Sequence, residues 1–451
     1  MRKLILILLV GGLLVGCETT PSPTPEEQEE AEPGVTENES LSFTEPVTVV
    51  TGNALRGPWR MNESDFFYVD DPGVAISETG EVGVVWADNE RQDAFFQRFD
   101  SQGEALFEEP VNLSQSPEIF SWLPRVAFDE TGERVFAVVQ DIVFSGGGHG
   151  GEIFFVRSLD GGQSFEEPQN LSNTPAGAGK GRLTEDHWSN GSMDLLVRDD
   201  EIWVAWTEYE GGLFLRRSTD GGESFEEAVR IGGDDEMPAR GPSLAVGPDG
   251  VVVIAFAVGE DDEADIHLAI SRDGGGSFEE PFVVHQTQGH SDAPALVIDS
   301  EGGMHLSFAE AEEGRFGRYV VLYAYSEEGR EFTSPRVLSG EMEGEEGGVH
   351  YPSLALDGQD RLYLVWKHFP EQEEQRSQGL VLTISEDGGA SFSQPMLIAE
   401  SVDPELGMGG GLQGLFMDKL AVNSEGQLAL VQSFFDEGRE SRIRLIRGDE
   451  E

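Results

Sequence analysis

One eight-residue phrase recurs four times: Ser158-Leu-Asp160-Gly-Gly162-Gln-Ser164-Phe165, Ser218-Thr-Asp220-Gly-Gly222-Glu-Ser224-Phe225, Ser271-Arg-Asp273-Gly-Gly275-Gly-Ser277-Phe278 and Ser385-Glu-Asp387-Gly-Gly389-Ala-Ser391-Phe392. A carboxylate and hydroxyls around paired glycines specify a tight turn: the aspartate accepts backbone amides and the glycines supply positive φ. Asp160 to Asp220 is 60 residues and Asp220 to Asp273 is 53. Repetition at such a period restricts the chain to an array of like units, none of which can bury its apolar face alone.

Each phrase belongs to a longer unit. An alternating apolar strand, a glycine-type turn and a second apolar strand form a hairpin, as in Gly73–Gly80 into Val82–Trp86 and Pro242–Gly250 into Val252–Phe256. The same pair recurs at 124–139, 193–206, 294–308, 352–366 and 418–432, which makes seven. A third strand precedes the phrase and a fourth follows it, opening at Phe107, Phe165, Phe225, Phe278, Phe332 and Phe392. Degenerate phrases stand at Phe99-Asp100-Ser-Gln-Gly103 and at Ser326-Glu-Glu-Gly329. The seventh fourth strand is absent from the C-terminal end, where the last unit stops near Gly448, and Ser42-Phe43-Thr-Glu-Pro46-Val supplies it from the other end. The expectation is an all-β propeller of seven four-stranded antiparallel blades, closed by its N-terminal strand.

The pattern Ser-x-Asp-x-Gly-x-Ser/Thr-aromatic is the Asp-box, and it resembles the repeat of the sialidase (neuraminidase) superfamily. That family has six blades, so the resemblance carries a six-bladed propeller as the alternative. It also implies an exo-acting glycoside hydrolase with three arginines on the substrate carboxylate, a tyrosine nucleophile activated by a glutamate, and an aspartic acid–base. The family's first arginine lies in an aromatic-Arg-Ile-Pro phrase. Ala239-Arg240-Gly241-Pro242 and Leu55-Arg56-Gly57-Pro58 are similar, without the aromatic and the isoleucine. On this resemblance the catalytic candidates are Arg240, Tyr351 and Glu260, the last beside Asp261 and Asp262.

Asp-box turns occupy one face of a propeller, so function is expected on the opposite loop face around the channel mouth. Two positions before each inner strand stand Asp70, Trp122, Gly191, Arg240, Asp292, His350 and Phe416. The ligand-binding candidates are Arg56, Trp59, Trp122, Arg182, Trp188, Asp292 and His350. Loop tryptophans can stack on sugars while arginine and aspartate bond hydroxyls. Trp86, Trp206 and Trp366 share the end of the second strand and read as core. Asp160, Asp220, Asp273 and Asp387 read as structural turn residues. His285, His290 and Asp292 are too few for a metal site, and no cofactor motif is present.

The chain opens Met1-Arg2-Lys3, an apolar run to Val15, then Gly16-Cys17. This pattern reads as a secretory signal, and Leu14-Val15-Gly16-Cys17 resembles the bacterial lipobox. The resemblance implies cleavage before Cys17, the sole cysteine, and its lipidation. Residues 1–16 are then the signal, 17–40 an acidic, proline-rich tether, and 41–449 the propeller. The tether places the folded part in the cell envelope, facing periplasm or exterior. A net charge of −57, from 86 acidic and 29 basic residues, disfavours nucleic acid and anionic lipid as partners. The leading functional expectation is a module binding an extracellular glycan or protein ligand. The alternatives are a sialidase-type hydrolase and an envelope assembly or scaffold protein.

Overall fold

The computed structural model describes residues 41–58, 60, 62–142, 151–174, 183–184, 187–188, 193–259, 263–340, 348–369, 379–403 and 419–450. These residues form a seven-bladed β-propeller, and the six-bladed alternative does not hold. Blades 1 to 6 are four-stranded antiparallel sheets in simple up-and-down order. Their first strands are Val69–Ile76, Ser121–Phe128, Met193–Arg198, Ala239–Val246, His290–Ile298 and Gly348–Leu356.

Blade 7 contains Leu420–Val422, Leu428–Asp436 and Glu440–Glu450. Its outer strand comes from the N-terminal end: Val47–Gly52 pairs with the Ser441–Leu445 stretch, and Leu41–Phe43 pairs with Gly448–Glu450. The expected closure is therefore present. The other fourth strands open later than the sequence pattern indicates. Pairing starts at Val111, Gln169, Val229, Phe282, Arg336 and Met396, each four residues after its phenylalanine, and Val47 keeps the same offset from Phe43. The Phe-Glu-Glu-Pro phrase is thus the approach to the strand, since proline cannot donate within a ladder.

The apolar core lies between blades. Seven buried clusters fill the interfaces between neighbouring blades, from Val85, Phe96 and Val139 between blades 1 and 2 to Val84, Val431 and Leu445 between blades 7 and 1, and the one around Phe136 and Trp206 spans blades 1, 2 and 3. Trp86, Trp206 and Trp366 are buried in them as expected.

The Asp-boxes rivet these interfaces. In the second box, Asp220 Oδ1 accepts from Ser218 Oγ (2.8 Å) and Ser224 N (2.9 Å), and Oδ2 accepts from Ser224 Oγ (2.6 Å). The other three boxes repeat this pattern. Gly222 has φ +80°, and a Cβ there would lie 2.6 Å from the Phe155 ring of the preceding blade. The closing Phe225 meets that same ring edge-on at 4.8 Å. Turn and interface thus require one residue set.

Candidate functional site

In an up-and-down blade, the 3→4 turns that hold the Asp-boxes share a face with the 1→2 turns. The 2→3 and blade-to-blade connections form the other face, where the inner strands begin. On that face five inner strands carry a β-bulge: register shifts fall between Asp70 and Gly73, Arg240 and Ser243, Asp292 and Ala295, His350 and Ser353, and in blade 2 beside Trp122. At each bulge the backbone turns to positive φ: Asp71 (54°), Leu123 (52°), Gly241 (58°), Ala293 (50°) and Tyr351 (58°). A proline follows every one of them. Four of the five are not glycine, so the strained conformation is imposed by the surrounding fold. A bulge re-aims the side chain before it, and those side chains are Asp70, Trp122, Arg240, Asp292 and His350.

Three of them meet. Arg240 Nε donates to Asp292 Oδ1 at 3.2 Å, and Nη2 donates to His290 Nε2 at 2.8 Å. Arginine can only donate, so Nε2 is the accepting nitrogen of His290 in this contact. His350 Nδ1 accepts from Tyr351 N at 2.9 Å, which leaves the other ring nitrogen to hold a proton. The Tyr319 ring packs edge-on against His350 at 4.0 Å, and the Tyr351 ring lies 3.8 Å from His350. Arg240, His290, Asp292 and His350 are buried, with Arg240 4% exposed, while Tyr319 and Tyr351 are half-buried. Among the described residues, Arg240 Nη1 has no hydrogen-bond partner.

Burial pushes the Asp292 carboxyl up, but the Arg240 guanidinium, then His290 and His350, outweigh it and hold the group well below the usual carboxylate range. Burial drives His350 down to about 3, against the pull of Asp292. Tyr351 and Tyr319 are pushed up by burial, and Asp292 adds to it in both. At neutral pH the cluster therefore presents one guanidinium arm, a neutral imidazole and two protonated phenols beside a paired carboxylate, the Tyr319 hydroxyl donating to Arg315 O at 3.1 Å. Such a set can hold a carboxylate and the hydroxyls of a saccharide.

The sequence expectations distribute unevenly over this site. Arg240, Asp292, His350 and Tyr351 come together. Trp122 does not: it is 1% exposed, packed among Phe66, Phe120 and Tyr68, with Nε1 donating to Asn89 Oδ1 at 2.5 Å, so its ring is core and not a sugar platform. Arg56 lies half-buried in a separate ribbon, Leu55–Arg56 with Phe66–Phe67, over the Phe66 ring. Trp188 belongs to a two-residue strand, His187–Trp188, of whose side chains nothing is described. Cys17, Trp59, Arg182, Gly191, Glu260, Asp261, Asp262 and Phe416 lie outside the described residues, as do the signal and tether. Tyr319 carries no such signal in the sequence, because it precedes a third strand, Val320–Ser326, and not an inner one.

No family model matches the chain, and no curated protein matches it. Among solved structures it is similar to a PL25 ulvan lyase described as bound to -[GlcA(1-4)Rha3S]-, at 12% identity over 88% of this chain and 95% of that one, with a TM-score of 0.53. It is also similar to the polysaccharide lyase Uly1, at 10% identity over 90% and 99% of the two chains, TM-score 0.53. A protein of unknown function from Dyadobacter fermentans aligns at 14% identity over 92% and 100%, TM-score 0.48. At these identities the first two likenesses establish the propeller fold alone.

Proposed function

We propose that the face opposite the Asp-boxes binds an acidic extracellular glycan, with Arg240 on a carboxylate and Tyr319, His350 and Tyr351 beside the sugar ring. The observation that carries this reading is the buried guanidinium whose Nη1 has no hydrogen-bond partner among the described residues, aimed from a strained bulge. Its other two nitrogens are fixed by Asp292 and His290, so the free arm is pre-oriented. The ulvan lyase of like fold is described as bound to a glucuronate-containing repeat, a ligand class that this cluster suits. Export and anchoring through a lipidated Cys17 form part of the same proposal, and a Cys17→Ser variant that still takes up radiolabelled palmitate would remove that part.

The chain as a whole repels such a ligand, because the net charge is −57. Salt screens that long-range repulsion more than a buried contact. Titration of the full chain with glucuronate-containing oligosaccharides should therefore show association that speeds up with added salt. Arg240→Lys keeps the charge and loses the fork, and it should weaken affinity about tenfold. Absence of binding by the unaltered protein at every salt concentration would sink the reading.

A second reading, elimination at a uronate, draws on one observation: a neutral imidazole and two protonated phenols surround the guanidinium. His350 would take the proton next to the carboxylate, the bond to the leaving oxygen would break as a carbon–carbon double bond forms, and a tyrosine would protonate that oxygen. An imidazole held at about 3 is a poor proton acceptor, so binding stands first. Growth of unsaturated-uronate absorbance during the same titration would reverse that order. The three-arginine arrangement of a sialidase finds less support: Arg240 and Arg315 both act on Tyr319, whereas Arg56 sits in its own ribbon.

A further inference from the structure

Among the described side chains, Phe316 alone is an aromatic that stands exposed, at 73%. The other described rings are buried or half-buried. Phe316 lies in the connection 312–319 of blade 5, between its second strand, Met304–Ala311, and its third, Val320–Ser326. A 2→3 connection belongs to the face of the Arg240 cluster, so the exposed ring shares that face.

The connection is built from two tight turns. Gly314 N donates to Ala311 O at 3.3 Å, and Gly317 N donates to Gly314 O at 2.8 Å. Gly314 has φ +84°, and a Cβ on Gly317 would stand 3.0 Å from Gly314 O. The end of the connection is pinned to the cluster. Tyr319 O accepts from Val349 N of blade 6 at 3.3 Å, and the Tyr319 ring meets His290 and His350 edge-on, at 6.3 and 4.0 Å. The Tyr319 hydroxyl donates to Arg315 O at 3.1 Å, the carbonyl of the peptide bond that leads into Phe316. The Arg315 guanidinium carbon lies 4.7 Å from the centre of the Phe316 ring. Three residues span at most about 11 Å, so Phe316 stands at the edge of the cluster. One tyrosine thus packs against the site with its ring and holds the exposed phenylalanine's loop with its hydroxyl.

We propose that Phe316 is a stacking platform for a second sugar: the apolar C–H face of the pyranose next to the acidic unit lies on its ring, and Tyr319 positions that ring. This inference rests on the glycan reading above. A pyranose carries an apolar face and a polar rim, and an aromatic ring held at the margin of a polar site matches both. Arg315 keeps a cation beside the platform, where an acidic chain would pass. The net charge of −57 disfavours an anionic lipid surface as the occupant. The ligand class narrows accordingly to an oligosaccharide of at least two units, as against a free acidic sugar.

The test titrates the full chain with free glucuronate and with a glucuronate-containing tetrasaccharide, and reads the ratio of the two affinities. The unaltered protein should favour the tetrasaccharide about tenfold or more. Phe316→Ala should remove about tenfold of that preference, and Phe316→Trp should keep it. The side chain is exposed, so both variants fold. Tyr319→Phe keeps the packed ring, loses the bond to Arg315 O and should lower the same ratio about threefold. A purely structural role for Tyr319 would weaken both ligands alike and would overturn its positioning of the platform. A ratio that Phe316→Ala leaves unchanged overturns the platform, while binding of both ligands keeps the Arg240 reading. The same unchanged ratio, accompanied by loss of a dimer in sedimentation, overturns it in favour of contact with a second copy of the chain. Binding of neither ligand by the unaltered protein removes the glycan reading and the platform with it.

Discussion

Replacing Arg240 by methionine tests the electrostatic logic of the cluster. Arg240 and Asp292 are 4% and 6% exposed and 3.2 Å apart. Removing one partner of such a pair costs about 3–5 kcal/mol, chiefly because the other charge is left buried. Asp292 would retain Ala293 N at 2.9 Å and the two histidines, so the low end, about 3 kcal/mol at neutral pH, is expected. The sign of the pH dependence follows from the direction of the shift. In the unaltered protein the folded-state value of Asp292 lies below the unfolded one. Its contribution is present above the unfolded value and is lost as pH falls through the folded one. Without Arg240, burial dominates and the folded value rises above the unfolded one, so the variant loses stability as pH rises. The deficit should therefore be largest near neutrality and shrink toward about pH 4. Urea unfolding at several pH values measures it directly. The double variant Arg240→Met/Asp292→Asn should recover most of the loss, since no buried charge remains without its partner. A deficit that is the same at every pH, or a double variant no better than the single, would refute this account.

Three further outcomes are expected. Gly241 has φ +58°, and a Cβ there would meet nothing closer than Pro294 Cδ at 3.9 Å, so Gly241→Ala should cost about 1–2 kcal/mol in urea unfolding through the backbone alone; a neutral result would show that the bulge is not held in the left-handed region. Hydrogen bonds from Ser224, then Ser218, hold the Asp220 carboxylate at about 2, and after discounting for its exposed position Asp220→Ala should cost about 1 kcal/mol at neutral pH, with the gap closing as pH falls below about 4. Burial lifts Asp141 to about 6 even though Ser116 and Ser121 donate to it, so the fold should gain stability as pH drops from about 6 to about 4, and Asp141→Asn should remove one proton's worth of that slope; an unchanged slope would place the titration elsewhere.

Repeat number and closure were legible because both are set by local chemistry. Glycine pairs and hydroxyl–carboxylate turns must recur wherever the same turn recurs, and the offset from Phe43 to Val47 copies the offset in six other blades. Most of the candidate site was legible for a related reason. Arg240, Asp292, His350 and Tyr351 sit at fixed positions relative to a proline that ends each bulge. The remainder depended on distance in space. Tyr319 reaches His350 from a connection 31 residues earlier. Trp122 misled because a tryptophan beside a loop has the same pattern whether its indole faces water or, as here, donates to a buried asparagine.

The pairing of Leu41 with Glu450 fixes when the molecule can first exist. The strands Leu41–Phe43 and Val47–Gly52 must wait for the Glu440–Glu450 strand. At about 5–20 residues per second, the 398 residues between Gly52 and Glu450 take roughly 20 to 80 s to synthesise. Throughout that interval the blade 7 to blade 1 interface lacks one wall, and Val84 and Trp86 have no Val431 or Leu445 to pack against. A chain stopped before Ser441 would hold six complete blades and still be an open ring. For this architecture the ring can close only once the Glu440–Glu450 strand is there to receive both Val47–Gly52 and Leu41–Phe43, so two segments far apart in sequence stand or fall together.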